Sequence, residues 1–415
     1  MPAPLRANSP PLIPATWAVV LAGALTLAAA MGIGRFAFTP LLPLMMRDGQ
    51  ISAAGGAELA AANYLGYLVG AMTAGRLATQ PLRLVRLCLP LIAALTAATG
   101  LVQGLPAWDV LRFGAGLCSA WALVGISSWS LSLLAQRGQG ALGGLVFAGV
   151  GGGIILAGVM AWLAGALPAR QLWLQFALAA LLMSLAVLGL LWRVRPPNPQ
   201  STRAALPAQT ALGVPARPAN AHAPNPLPPG SWPMVICYGS FGFGYILPAT
   251  FLPAMARALL DDPRSFGLAW PVFGLAAMLS TVLTLRWIGR WPPLRAWAIC
   301  QGLMGLGVAM PLLSRSAWAI ALAALLVGGT FLLATVIAMQ QARAMAPLQP
   351  APLLGRLTAA FALGQMLGPL CVRALSGVQW GGAGGMGAIE ITSALATVLL
   401  LGTAAWLWRQ APAGR

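Results

Sequence analysis

The sequence predicts an all-α membrane protein: twelve transmembrane helices arranged as two pseudo-symmetric six-helix bundles. Three observations predict it. Of the 415 residues 59% are hydrophobic and only 7% charged, whereas soluble domains are about half apolar and about a quarter charged. Apolar runs recur at the roughly 20-residue length that a helix needs to cross a bilayer. Finally, the chain resembles itself when shifted by half its length.

The runs fall at roughly 17–46, 56–79, 82–103, 108–135, 140–166, 170–193, 232–257, 265–289, 294–313, 316–344, 353–375 and 386–409. Pro, Gly and Arg punctuate the gaps between them. Residues 1–16 form a short N-terminal tail, and the first run is too long for the apolar region of a signal peptide. The stretch 194–231 is rich in Pro, Ala and Asn and lacks hydrophobic periodicity, so it is expected to be a flexible tether. That tether separates an N-terminal bundle, 17–193, from a C-terminal bundle, 232–409, which a tail at 410–415 follows. A shift of 210 residues lays Gly32, Gly34, Leu42, Pro43, Met45 and Arg47 over Gly242, Gly244, Leu252, Pro253, Met255 and Arg257. Two like halves in parallel orientation are one of the known transporter plans.

All 24 basic residues are arginine. With the N-terminus inside, sixteen arginines fall in inner loops and six (Arg47, Arg170, Arg257, Arg264, Arg315 and Arg373) in outer ones. The positive-inside rule then puts both termini and the tether in the cytoplasm. The net charge of +18 does not mark a nucleic-acid binder, because the arginines are scattered singly between apolar runs. Five single cysteines, one histidine (His222) and six acids offer no catalytic or metal set, so no enzyme, cofactor or metal is expected.

Several phrases resemble the major facilitator superfamily, and within it the YbfB/YjiJ-like bacterial branch. They are GIGRFAFTPLLPLM (32–45), ANYLGYLVGA (62–71), YGSFGFGYILPATFLPAMAR (238–257), GGTF (328–331) and ALGQMLGPL (362–370). The resemblance implies an inner-membrane secondary transporter working by alternating access. The superfamily's loop after the second span is only partly kept in GRLATQPLRLVR, 75–86: Gly75, Leu77, Ala78 and Arg83 match, but Thr79 replaces the acid. RFGAG, 112–116, resembles the fourth span's arginine motif.

Arg35 stands out among the polar residues within the spans. Twelve residues before Arg47, it lies about 18 Å inside the outer loop at 1.5 Å per residue, near mid-depth of a roughly 30 Å core. An arginine there faces a cavity or the bundle interior. Its five-donor fork suits an anionic or carbonyl-bearing solute; the other reading is a purely structural lock. Arg112 starts a stripe with Gly116, Ser119, Ser127 and Ser130, all within about 80° on a helical wheel. The stripe suits a cavity wall or close helix packing, with Asp109 as a possible partner for Arg112. Asn63 and Tyr64 look interior. Tyr245, the repeat mate of Arg35, should hold the matching position in the second half, and Gln365 sits beside the Gly368–Pro369 kink. Trp17, Trp108, Trp232, Trp318 and Trp380, at run ends, read as interfacial anchors.

The expected activity is carriage of a small solute, an anionic metabolite held by the cavity arginines, with Arg35, Arg112, Tyr245, Asn63, Tyr64 and Gln365 as the candidate substrate-binding residues. The alternatives are a neutral or lipophilic solute with structural arginines, or a non-transporting sensor or assembly protein. Coupling stays open, since the spans offer only Glu58, Asp109 and Glu390. The expected partners are the solute and the lipid bilayer, with the protein a monomer.

Overall fold

The computed structural model describes residues 15–77, 80–164, 166–193, 231–259, 267–287, 291–346, 351–380 and 386–411. Most of the N-terminal tail, nearly all of the tether with His222, Asp261, Asp262 and Arg264, and residues 412–415 lie outside these. The described residues form twelve helical segments. The first is broken into α1a (Ala15–Leu27), a wide turn of π-helix (Ala28–Ile33) and α1b (Phe38–Arg47). There follow α2 (Ala53–Leu77), α3 (Pro81–Leu101), α4 (Leu105–Gln136), α5 (Gly143–Leu163) and α6 (Ala169–Arg193). The second half holds α7 (Ser231–Leu259), α8 (Ala269–Trp287), α9 (Pro293–Leu313), α10 (Ala317–Met345), α11 (Ala351–Ala374) and α12 (Ala388–Gln410). Among the described residues ten spans are long and apolar enough to cross a membrane, and Ala269–Val282 of α8 is apolar but shorter.

The packing obeys the twofold relation that the repeat implies. In the first half α2 and α3 pack on α4, α3 on α6, and α1 on α5 and α6; in the second, α8 and α9 pack on α10, α9 on α12, and α7 on α11 and α12. Between the halves α5 packs on α8, α2 on α11, and α1b on α7. A pseudo-twofold axis exchanges the first two of these contacts and maps the third onto itself.

Small residues permit this closeness. A Cβ on Gly66 would sit 2.0 Å from the Phe113 carbonyl oxygen, and one on Gly116 2.0 Å from that of Asn63, so α2 and α4 meet backbone to backbone. The stripe beginning at Arg112 therefore serves packing. Ser119 donates to the carbonyls of Ala30 and Ala115, and Ser130 to that of Ile126. Trp108 corrects the anchor reading. It is 5% exposed and donates to the carbonyls of Thr99 and Val102, whereas Trp17, Trp232, Trp318 and Trp380 are exposed.

The break in α1 frees backbone groups at the middle of the helix. Gly34 and Phe36 donate to Ala29 and Met31, five residues back, and Thr39 donates to Phe36, three back. Pro40 and Pro43 have no amide hydrogen to restore the regular ladder. Thr39, whose regular acceptor is the Arg35 carbonyl, bonds Phe36 instead, and the carbonyls of Gly34 and Arg35 take donors from other helices.

Candidate functional site

Arg112 supplies those donors. Its Nη1 donates to Gly34 O at 3.1 Å and its Nη2 to Arg35 O at 2.9 Å. Phe38 and Trp173 flank the guanidinium at 5.2 and 5.9 Å. Asn63 Nδ2 joins in, donating to Arg112 O at 2.8 Å and Gly34 O at 3.4 Å. A helix-break carbonyl pair thus occupies the fork that the sequence assigns to a solute. Arg112 does not line the central cavity, and its hydrogen bonds run to these carbonyls, not to Asp109. That corrects the expectation of two arginines on one cavity wall.

Arg35 is equally buried, at 3% exposure, but differently placed. Its guanidinium lies 4.1 Å from the Tyr67 ring centre and 5.1 Å from those of Tyr64 and Phe36. Nη2 donates to Tyr245 Oη at 3.4 Å, while Nε has no hydrogen-bond partner. Among the described residues the two ion pairs are Arg47–Asp48 and Arg373–Glu58. Arg35 therefore has no carboxylate partner there. Tyr245 is itself fully buried, takes a bond from Gln365 Nε2, and leaves Gln365 Oε1 without a partner.

Contact between Arg35 and Tyr245 has a geometric consequence. Residues related by a twofold rotation can touch only near the axis. Arg35 touches its mate Tyr245, and Thr39 Oγ1 donates to the carbonyl of its own mate, Ala249, at 2.6 Å. The centre of the molecule therefore lies at Arg35, between the bundles.

A cavity of about 80 Å³ opens beside Arg35. Its deep wall is Arg35, Phe36 and Tyr245, all buried; towards the tether end its walls are half-buried, at Tyr67, Phe147, Thr335, Thr358 and Phe361. Sequence reasoning named Arg35 and Tyr245 but missed Tyr67, Tyr238, Phe331 and Phe361. A signal was present: the chain has only four tyrosines, and three of them line this cavity. Tyr64, the fourth, bonds Thr250 across the halves at 2.8 Å instead. Asn63, Tyr64 and Gln365 do not line the cavity but support those that do.

Beyond Arg35 the far end of the molecule is shut. Arg257 donates to Pro43 O, Arg373 pairs with Glu58 at 3.1 Å, and Gly158 and Gly267 press on Pro271 and Trp162. In the loop after α1b, Asp48 accepts from Arg47 Nε at 2.8 Å and from the Ala169 amide, the first residue of α6, at 2.7 Å. Burial acts to raise the Asp48 carboxyl, but these two bonds with the charges of Arg47 and Arg257 hold it below the usual 3.8.

Residues 27–406 match the family described as "Uncharacterised MFS-type transporter YbfB". The chain belongs to this family. Membership makes it a multi-pass major facilitator transporter and not an enzyme. Crystal structures of the nucleoside transporter NupG share the fold. One is 13% identical with a TM-score of 0.69, covering 96% of this chain and 99% of its own. A mutant form is 12% identical with the same TM-score, covering 94% and 99%. No curated protein matches the sequence. This family member thus has its broken first helix, its central arginine and its aromatic cavity at the interface of two six-helix halves.

Proposed function

We propose that this protein carries a small anionic solute by alternating access, with Arg35 as the binding group. One observation carries the reading: a guanidinium buried on the axis lines a cavity and, among the described residues, lacks both a carboxylate and a partner for its Nε. Leaving a charge uncompensated in a low-dielectric interior is costly. A solute that brings the negative charge removes that cost and gains charge-assisted hydrogen bonds. A nucleoside, the solute in the structural neighbours' names, brings no charge to Arg35.

The rest of the assignment follows the sequence. The units are 17–193 and 232–409, tethered by 194–231. The arginine distribution supports cytoplasmic termini and tether, the family supports a bacterial inner membrane, and the protein is taken to work as a monomer. On that orientation the cavity faces the cytoplasm and the closed end the periplasm.

The aromatic lining favours a second reading, a neutral apolar solute with Arg35 as a structural element. Thermal stability of the purified protein separates the two, since a ligand that binds only the folded state raises the melting temperature. Small carboxylates and phosphates should stabilise the wild type and leave Arg35→Gln unmoved. Stabilisation by neutral solutes alone, equal in both proteins, would sink the anion reading.

A further inference from the structure

We infer that the solute is a flat aromatic monocarboxylate, its carboxylate on Arg35 and its ring against the cavity's aromatic wall. This inference rests on the anion reading of Arg35 and narrows it. Seven of the sixteen lining residues are aromatic, in a chain that is 8% aromatic. The enrichment has an ordered geometry. Tyr245 lies 4° from parallel to Phe331 and 6° from parallel to Phe361, with centroids 5.4 and 5.5 Å apart. Tyr238 stacks on Phe361 at 5.0 Å and 25°. Nearly parallel rings present the cavity with repeated offset-stacking positions, a geometry that another flat ring completes and a puckered or linear chain does not.

Charge sets the other half of the class. Arg35 is the one cationic residue lining this cavity, and no acid lines it. A monoanion cancels that charge; a dianion would bury a second charge without a partner. Tyr67 lies against the guanidinium at 4.1 Å, and the Nε is buried without a partner; a carboxylate is the planar acceptor that matches such a fork. The neutral polar lining residues other than the tyrosines are Thr335 and Thr358, on the tether side.

The test uses the full-length protein in detergent, with calorimetric titration of benzoate, cyclohexanecarboxylate, terephthalate and benzamide. Benzoate and cyclohexanecarboxylate share a charge and nearly a shape, so their ratio isolates the ring. Benzoate should bind tighter than cyclohexanecarboxylate by about two- to tenfold, terephthalate more weakly than benzoate, and benzamide not measurably. Phe361→Leu should keep both monoacids bound while bringing their affinities together, and Arg35→Gln should lose both. Equal affinity for benzoate and cyclohexanecarboxylate in the wild type overturns the aromatic assignment while the anion reading stands. Terephthalate binding as tightly as benzoate overturns the monoanion assignment. Benzamide binding like benzoate overturns the anion reading and this inference together; a folded wild type that binds none of the four overturns this inference alone. The wild-type comparisons decide these points even if a variant fails to fold.

Discussion

Arg35 and Arg112 have the same side chain and the same 3% exposure, yet opposite roles follow from where their donors go. Arg112 satisfies the two carbonyls freed by the break in α1, and its loss would leave that of Arg35 without a donor and that of Gly34 with only the long bond from Asn63. Arg112→Ala should therefore cost about 2–4 kcal/mol, read as a lower melting temperature and poorer yield. Arg35 donates to Tyr245 and lies against three rings, but it faces the cavity and has no carboxylate partner among the described residues. Arg35→Met should abolish transport while holding or raising the melting temperature, because an apolar residue in place of a buried charge is often neutral or stabilising. Arg35→Lys keeps the charge but loses the planar fork, so solute affinity should fall by about tenfold or more. A normal transport rate in Arg35→Met would make this arginine structural. The contrast is only half legible in the sequence. Depth and apolar neighbours mark Arg35, but the helical wheel places Arg112 on a small polar face without telling which helix that face meets. Its true partners are backbone carbonyls, and nothing in a side-chain pattern reports a backbone group left open by an irregular turn elsewhere.

Element boundaries are far easier to read, since apolar run length and Gly/Pro punctuation are local properties. Every predicted run has its helix among the described residues. The break in α1 is not legible, although Gly32, Gly34, Pro40 and Pro43 stand around it; such residues permit irregular backbone, and tertiary contacts decide where it falls. The glycines of α5 do separate jobs. Gly149 and Gly153 abut Ala24 and Ala28 of α1, Gly151 meets Gly274 and Met278 of the other half, and Gly152 faces open space. At the α2–α4 crossing, Gly66→Ala forces a Cβ against the Phe113 carbonyl and should cost about 1–3 kcal/mol through overpacking; Gly152→Ala is the matched control with no expected effect. The Asp48 bridge to the start of α6 makes a prediction in pH. Its folded-state pKa lies below 3.8, so its contribution is present above that value and is lost as pH falls through the lower folded value. Asp48→Asn should melt lower than wild type near neutrality, and the gap should close in acid. A gap that persists unchanged in acid would assign the effect to shape and not to charge.

At the scale of the whole molecule, the 210-residue repeat foretells two like halves, and the meeting of Arg35 with Tyr245 and of Thr39 with Ala249 places the axis between them. The state of the molecule is not legible, because a sequence that alternates between two arrangements must accommodate both. The orientation proposed from the arginines predicts that a reporter active only in the periplasm is silent when fused at Ala211 and works at Asp261. Granted that orientation, the molecule is shut towards the periplasm, and the α5–α8 contact is part of the closure. Packed interfaces of this kind are bistable, so a substitution tolerated in only one arrangement shifts the population towards it. Gly158 is suited to such a test. A Cβ there meets Pro271 at 2.6 Å, and a leucine should wedge the outer ends of α5 and α8 apart, disfavouring the closed arrangement while sparing the cavity. Thr335 lines that cavity from the tether side, so a cysteine there reports access from either face. In cells, Thr335→Cys should react slowly with a membrane-impermeant maleimide, because the reagent must pass the shut end. Adding Gly158→Leu should speed that labelling and slow net transport, as one arrangement becomes over-populated. Unchanged labelling in the double variant would show that the α5–α8 contact does not hold the closed end shut, and would move that role to the Glu58–Arg373 and Arg257–Pro43 contacts.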